Sequence, residues 1–225
     1  CLVLFQANQL AQIIRDLLYK PNALFLENPM MGDAITGIVA AGIVSLVIFG
    51  GIKRIGKVAS RMVPIMVLIY LMAALAILGK HLSDIPMIFS SIFQDAFTGD
   101  AVLGGALGSI IIVGIKRAAF SNEAGIGTEV MAHGAARTKE PVREGLVAMM
   151  GPFIDTIVVC SITAFVILAS GVDFHGDNGV TLTVMAFKKE LGLLGEIILM
   201  IAVLSFSLST MFGYSYYGRK CTSYL

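Results

Sequence analysis

The sequence predicts an all-α polytopic membrane protein, on three observations. Hydrophobic residues fill 57 % of the 225 positions and charged residues only 14 %, too little charge to cover a water-soluble domain of this length. Several windows approach the roughly 20 apolar residues that a helix needs to cross a hydrocarbon core of about 30 Å. The basic residues cluster in three places, with most of the acids between them, as expected when successive loops alternate across a bilayer.

Leu2 to Leu18 reads as the end of a span running outward. Asp33 to Gly51 returns inward and Met62 to Gly79 goes out again, neither with a charge inside its limits. Ile85 to Phe97 sets Ile85, Ile88, Phe89, Ile92, Phe93 and Phe97 at helical spacing but is too short to cross, and is expected as an amphipathic helix on the outer surface. From Ala101 the apolar stretch reaches only Ile115, about 22 Å of helix, before Lys116-Arg117 interrupts it. The chain resumes at Phe120 to Ala136, rich in Gly and Ala and punctuated by Asn122, Glu123, Glu129 and His133. A hydrophobic helix broken near mid-depth lets a transporter expose backbone groups to its substrate. Leu146 to Gly171 carries one charge, Asp155, and Ile197 to Gly218 carries none. A short helix from Thr181 to Leu191 is expected in the last external loop. The result is about six transmembrane helices, one of them broken.

The basic groups are Lys53, Arg54, Lys57 and Arg61, then Arg137, Lys139 and Arg143, then Arg219 and Lys220. The positive-inside rule makes those loops cytoplasmic and places Asp84, Asp95, Asp100, Asp173, Asp177 and Glu190 outside. The chain opens on Cys1 within an apolar run and stops at Leu225 without a tail, so it reads as cut from something longer. A net charge of +1 argues against nucleic acid as a partner. Cys1, Cys160 and Cys221 lack metal-ligand spacing and read as small apolar residues. His81, His133 and His175 include no pair with zinc-site spacing, and Gly125-Ile126-Gly127 lacks the rest of a dinucleotide fingerprint.

Three groups offer chemistry. Asn122 and Glu123 follow the break; there Ser121 or Asn122 caps a helix and Glu123 complements its dipole, or exposed N–H groups receive a substrate carboxylate while a side-chain oxygen receives an ammonium. Both readings can hold together. Lys116 and Arg117 bind an anion or pair with Glu123 or Asp155, since charge at that depth is costly. Ser209-Thr210, in the run Ser205-Phe206-Ser207-Leu208-Ser209-Thr210, offers adjacent neutral oxygens to a hard cation, or bonds back to a carbonyl one turn earlier. Gly104 and Gly108 form a packing pair. Asp155 reads as an ion-pair or packing residue rather than half of a protease dyad.

Lys116-Arg117-x-x-Phe120-Ser121-Asn122-Glu123-Ala124-Gly125-x-Gly127, Ala132-His133, Pro141 to Met149 and Phe153-Ile154-Asp155-Thr156 together closely resemble the sodium/alanine (alanine or glycine:cation) symporter family, over the whole chain. The resemblance implies a leucine-transporter-like fold of two inverted five-helix repeats. Residues 1–225 would then be one transmembrane transporter domain fragment, core helices three to eight, with the first core helices and the C-terminal ones missing. It further implies that Phe120, Ser121, Asn122, Glu123 and Gly125 meet the amino acid, that Tyr214 walls its pocket, that Gln6 and Asn8 line the cavity, and that Ser209 and Thr210 bind sodium. Many members read Gly-Leu-Gly-Ser-Ala-Pro after the acidic motif, whereas Thr128-Glu129-Val130 follows Gly127 here, and Ala118 replaces a frequent glycine.

The expectation is a sodium-coupled symporter, not an enzyme, since no covalent chemistry is involved, importing alanine or glycine by alternating access. It would sit as a multi-pass monomer in the plasma (inner) membrane, with the lipid bilayer, the amino acid and sodium as its partners. The alternatives are a proton-coupled amino-acid carrier, a membrane-embedded enzyme using Glu123 and Asp155, and a passive channel.

Overall fold

The structure is a computed structural model that describes residues 2–25, 28–97, 123, 126–172 and 179–224. Its described elements, in chain order, are α1 (Leu2–Ile14), a π-helical turn π1 (Arg15–Tyr19), α2 (Pro29–Ile48), α3 (Gly51–Lys80), α4 (Ile85–Phe97), α5 (Val130–His133), α6 (Pro141–Pro152), a second π-helical segment π2 (Phe153–Cys160), α7 (Ser161–Ser170), α8 (Val180–Leu191) and α9 (Leu193–Tyr224). Among the described residues there is no strand. Four stretches are long and apolar enough to cross a membrane: Pro29–Ile48, Gly51–Lys80, Pro141–Ser170 and Leu193–Tyr224. They correspond to four of the six expected spans. Residues 2–19 are helical, but in shorter pieces.

Helix limits differ from the apolar windows where hydropathy and hydrogen bonding part company. The third span was expected from Met62, yet α3 starts at Gly51, its residue at φ +70° turning the chain out of α2. Lys53, Arg54, Lys57 and Arg61 lower the hydropathy there without weakening the backbone ladder, since Lys and Arg are good helix formers. At 30 residues, α3 is about 45 Å long, well beyond the hydrocarbon core. The expected surface helix from Ile85 to Phe97 is α4 with the same limits. The broken helix is the part the described residues reach least: Ala101 to Asn122, with Gly104, Gly108, Lys116, Arg117, Phe120, Ser121 and Asn122, and also Ala124 and Gly125, lie outside them. Among the described residues of its expected second half, 126–129 are turns and only α5 is helical. Gly127 at φ +77° is incompatible with a right-handed helix through that point.

The chain forms two compact units, Cys1–Ile77 with Ser170–Leu225, and Leu78–Ala169. In the first, Val3, Ala7, Leu10 and Ile14 make one stripe of α1 that packs with Ala40 and Val44 of α2 and Leu204 and Met211 of α9. That is the periodicity of a single helix face. Ile55 of α3 joins Phe212 and Tyr216 in a second cluster. The helix expected in the last external loop is α8, and it is an integral part of this packing. Ala186 and Phe187 are fully buried, and Phe187 stacks on Tyr70 at 5.5 Å. Gly192, at φ +62°, makes the left-handed turn that folds α8 back along α9.

In the second unit, Pro141–Ser170 is continuous helix but not uniform. Its central eight residues are the π segment π2, which begins directly after Pro152. Phe89 of α4 stacks against Phe165 of α7, centroids 6.4 Å apart and planes within 11°.

Candidate functional site

Glu123 sits at φ +59°, a left-handed conformation that is uncommon for a residue with a side chain and worth explaining. The turn that follows uses it on both sides. Its carbonyl accepts from the N–H groups of Ile126 and Gly127 at 2.9 and 2.7 Å, and its Oε2 accepts from the Thr128 hydroxyl at 2.8 Å. The carboxylate is therefore held by a local loop rather than left to swing, and among the described residues its other oxygen accepts no hydrogen bond, leaving lone pairs that suit a cationic group. Sequence reasoning treated Thr128 only as a departure from the family pattern. The signal for it was a hydroxyl five residues after the acid, with Gly127 between them to close the turn.

In the same unit, His133 Nδ1 lies 2.7 Å from Glu144 Oε1, joining α5 to α6 beside a cavity of about 380 Å³ that Glu129 also lines. Asp155 stands half-buried in the first turn of π2. π segments inside α-helices occur often at functional positions. Among the described residues no group of three or more His, Cys, Asp or Glu side chains is arranged to hold a metal.

In the first unit, Ser209 and Thr210 lie in the middle of α9. Both hydroxyls donate to the carbonyl of Phe206, at 2.8 and 3.0 Å. The local bond that the sequence offered as the plainer alternative is thus present, but it consumes only the protons. Each oxygen retains lone pairs, and two neutral oxygens at adjacent positions suit a hard monovalent cation. Tyr214, one turn further, packs its ring edge-on against Tyr217 at 5.3 Å.

Gln6 and Asn8 flank Ala7, which belongs to the packed stripe of α1. At about 100° per residue they stand some 200° apart around the helix, Gln6 half-buried and Asn8 exposed. The polar face of α1 that does make contacts is the next one along. Gln9 Oε1 accepts from the Val180 N–H at 3.3 Å, Gln12 donates to Thr181 Oγ1 at 2.9 Å, and Thr181 donates to Asp16 at 3.1 Å. This chain of bonds, which sequence reasoning missed, fixes the first turn of α8 to α1. Tyr19 and Thr36 pair through their hydroxyls at 2.9 Å, and Arg15 makes a two-pronged ion pair with Asp33.

Ser207 was passed over too. It is fully buried, and its hydroxyl has no hydrogen-bond partner among the described residues.

Comparison with known proteins adds a family to this geometry. The model of the sodium:alanine symporter family matches residues 1–225. The sodium/alanine symporter AgcS of Methanococcus maripaludis is 44 % identical over 195 residues, covering 85 % of this chain and 43 % of that protein. The probable sodium/glutamine symporter GlnT of Bacillus subtilis is 34 % identical, with 90 % and 43 % covered. A sodium/proton-dependent alanine carrier protein of Bacillus sp. PS3 is also 34 % identical, with 85 % and 46 % covered. The chain spans less than half the length of each of these relatives. With a match along its whole length and a relative at this identity, the chain belongs to the sodium:alanine symporter family.

Proposed function

We propose that the full-length protein carrying this chain is a sodium-coupled symporter that imports a small neutral amino acid, alanine or glycine, across the plasma membrane by alternating access. The observation that carries the reading is the pair Ser209 and Thr210. Their protons are committed to the Phe206 carbonyl, so their oxygens are oriented as acceptors, which is what a sodium ion requires. The family and the named relatives support cation-coupled amino-acid movement. The leucine-transporter-like arrangement, with these residues as core helices three to eight of one transporter domain, belongs to the same proposal.

On this reading, Glu123, locked by Thr128, offers a fixed carboxylate oxygen to the substrate ammonium. Phe120, Ser121, Asn122 and Gly125 complete that part of the pocket, Tyr214 walls it, and Gln6 and Asn8 line the approach. Sodium stabilises the form that binds the amino acid, and this difference in affinity is the coupling.

The test is uptake of labelled alanine and glycine into proteoliposomes containing the full-length protein, in sodium or in potassium, for wild type and for Ser209→Ala/Thr210→Ala. Saturable uptake that requires sodium, with about tenfold more sodium needed in the variant for loss of two oxygen ligands, is the expected result. Uptake indifferent to sodium but driven by a proton gradient would replace this reading with proton coupling. Non-saturating flux would point to a channel, and product formation without a gradient to an enzyme.

A further inference from the structure

The first unit carries a groove that the transport reading does not use. It runs between α3 and α9, holds about 500 Å³, and is apolar along one part and basic at one end. Lys57 and Arg61 stand at that end, followed along α3 by Met62, Ile65 and Ile69, with Ile201 facing from α9. The spacing is informative. Lys53, Lys57 and Arg61 recur every four residues, so they form one stripe of the helix, and Ile65 and Ile69 continue the same stripe. One face of α3 therefore changes from cationic to apolar within a single turn.

Among the described residues these cations lack a counter-charge. No Asp or Glu occurs between Asp33 and Asp84, and α9 contributes one acid, Glu196, whose carboxylate lies 3.0 Å from Lys188. Among the described residues, neither Lys57 nor Arg61 has an ion-pair partner. Arg219 and Lys220, at the C-terminal end of α9, add charge toward the same end of the pair, because Ile55 packs with Phe212 and Tyr216 and so sets the start of α3 beside the end of α9. From Arg61 to Ile69 the groove follows α3 for about 12 Å, close to the depth of one leaflet, about 15 Å.

We propose that this groove is a binding site for an anionic phospholipid of the surrounding bilayer. Lys57 and Arg61 hold the headgroup phosphate, and one acyl chain lies along Met62, Ile65 and Ile69 against Ile201. A basic pocket between two spans at the cytoplasmic surface is the arrangement that selects such lipids over zwitterionic ones. Arg61 supplies a planar fork for phosphate oxygens and Lys57 a compact charge. A soluble anion would satisfy the cations and leave the apolar length of the groove unused, so the bilayer lipid is the occupant that matches both halves.

The test is native mass spectrometry of the full-length protein in mild detergent, offered phosphatidylglycerol or phosphatidylcholine with identical acyl chains. The expected result is a phosphatidylglycerol adduct that survives where phosphatidylcholine is lost. Retention should fall about tenfold or more in Lys57→Gln/Arg61→Gln, at roughly one contact's worth of attraction per charge, and stay near wild type in Lys53→Gln/Arg54→Gln, which removes the same charge outside the groove. Ile65→Trp, which fills the apolar part and leaves the charges in place, should also expel the lipid. Equal loss from both charge pairs would overturn the site in favour of diffuse surface attraction. Undiminished retention in Lys57→Gln/Arg61→Gln, or release of the lipid by inorganic phosphate alone, would overturn it as well, the first result also expected if another part of the protein covers the groove. Lipid retention is read without transport, so this inference stands or falls separately from symport.

Discussion

Thr128 donates its hydroxyl to Oε2 of Glu123 across 2.8 Å, tying the side chain of a residue at φ +59° to the far side of the turn it initiates. A hydrogen bond to an ionised group contributes about 1.5–3 kcal/mol, and the half-exposed position places this one at the lower end. Thr128→Val keeps the branched shape and removes the bond. On the proposed symport it is expected to slow alanine uptake by the full-length protein about tenfold, while Thr128→Ser stays near wild type. Initial rates normalised to protein in the vesicles decide it: equal rates in the Val and Ser variants would show that the bond does not position Glu123.

Two glycines of α9 should respond to the same substitution with opposite sign. A Cβ on Gly195 would collide with the Phe187 carbonyl oxygen, whereas one on Gly213 meets nothing within 4 Å among the described residues. Alanine adds up to about 1 kcal/mol of helix propensity at either place. At Gly195 that gain is outweighed by overpacking, about 1–3 kcal/mol, against a backbone group that cannot rotate away. Thermal unfolding of the purified protein should show Gly195→Ala below wild type and Gly213→Ala at or above it.

Buried hydroxyls divide in the same manner. Thr36 donates to the Gly32 carbonyl at 3.0 Å and pairs with Tyr19, so Thr36→Val should cost about 1 kcal/mol. Ser207 is buried more completely and makes no such bond among the described residues. Ser207→Ala removes an uncompensated polar group and should raise stability by about 1 kcal/mol. A lowered melting temperature for Ser207→Ala would reveal a partner for that hydroxyl in the full-length protein.

Arg15 and Asp33 join π1 to α2, with side chains 34 % and 32 % exposed. That much solvent limits the pair to a coupling of about 1 kcal/mol. A double-mutant cycle of Arg15→Met and Asp33→Asn, read by thermal unfolding, should return that value at low salt and less at high salt. A coupling indistinguishable from zero at low salt would leave the bidentate geometry without energetic weight.

How far the sequence could be read depended on which interaction set each feature. The apolar windows located the four long spans because burial in lipid is a matter of composition. They missed the first turns of α3, where Lys53 to Arg61 obey helix propensity rather than hydropathy. Ile85–Phe97 was legible to its limits because its apolar spacing and its length agreed. For the site, the Ser209-Thr210 pair and its bond back along the helix could both be read as alternatives, but that the two hydroxyls converge on the single carbonyl of Phe206 is visible only in the fold. Thr128 on Glu123, and Gln12 and Asp16 on Thr181, join residues whose partnership no periodicity announces. Phe120, Ser121, Asn122 and Gly125 of the acidic motif lie outside the described residues, so their part in the proposed pocket is an expectation from the family alone.

The π segment at Phe153–Cys160 has a consequence for chain length. Each wide turn accommodates more residues than an α-turn, so the segment acts as stored slack between Pro141–Pro152 and Ser161–Ser170. Removing one residue from it would let an ordinary α-helix form with nearly the same angular phase, because a π-turn spends about one more residue than an α-turn on the same rotation. Phe165 would then keep its place against Phe89, whereas the same deletion among Ser161 to Ala164, in ordinary helix, would swing Phe165 away by about 100°. The span thus holds one place where a change of residue count is absorbed locally, bordered by helix where the same change becomes a change of orientation.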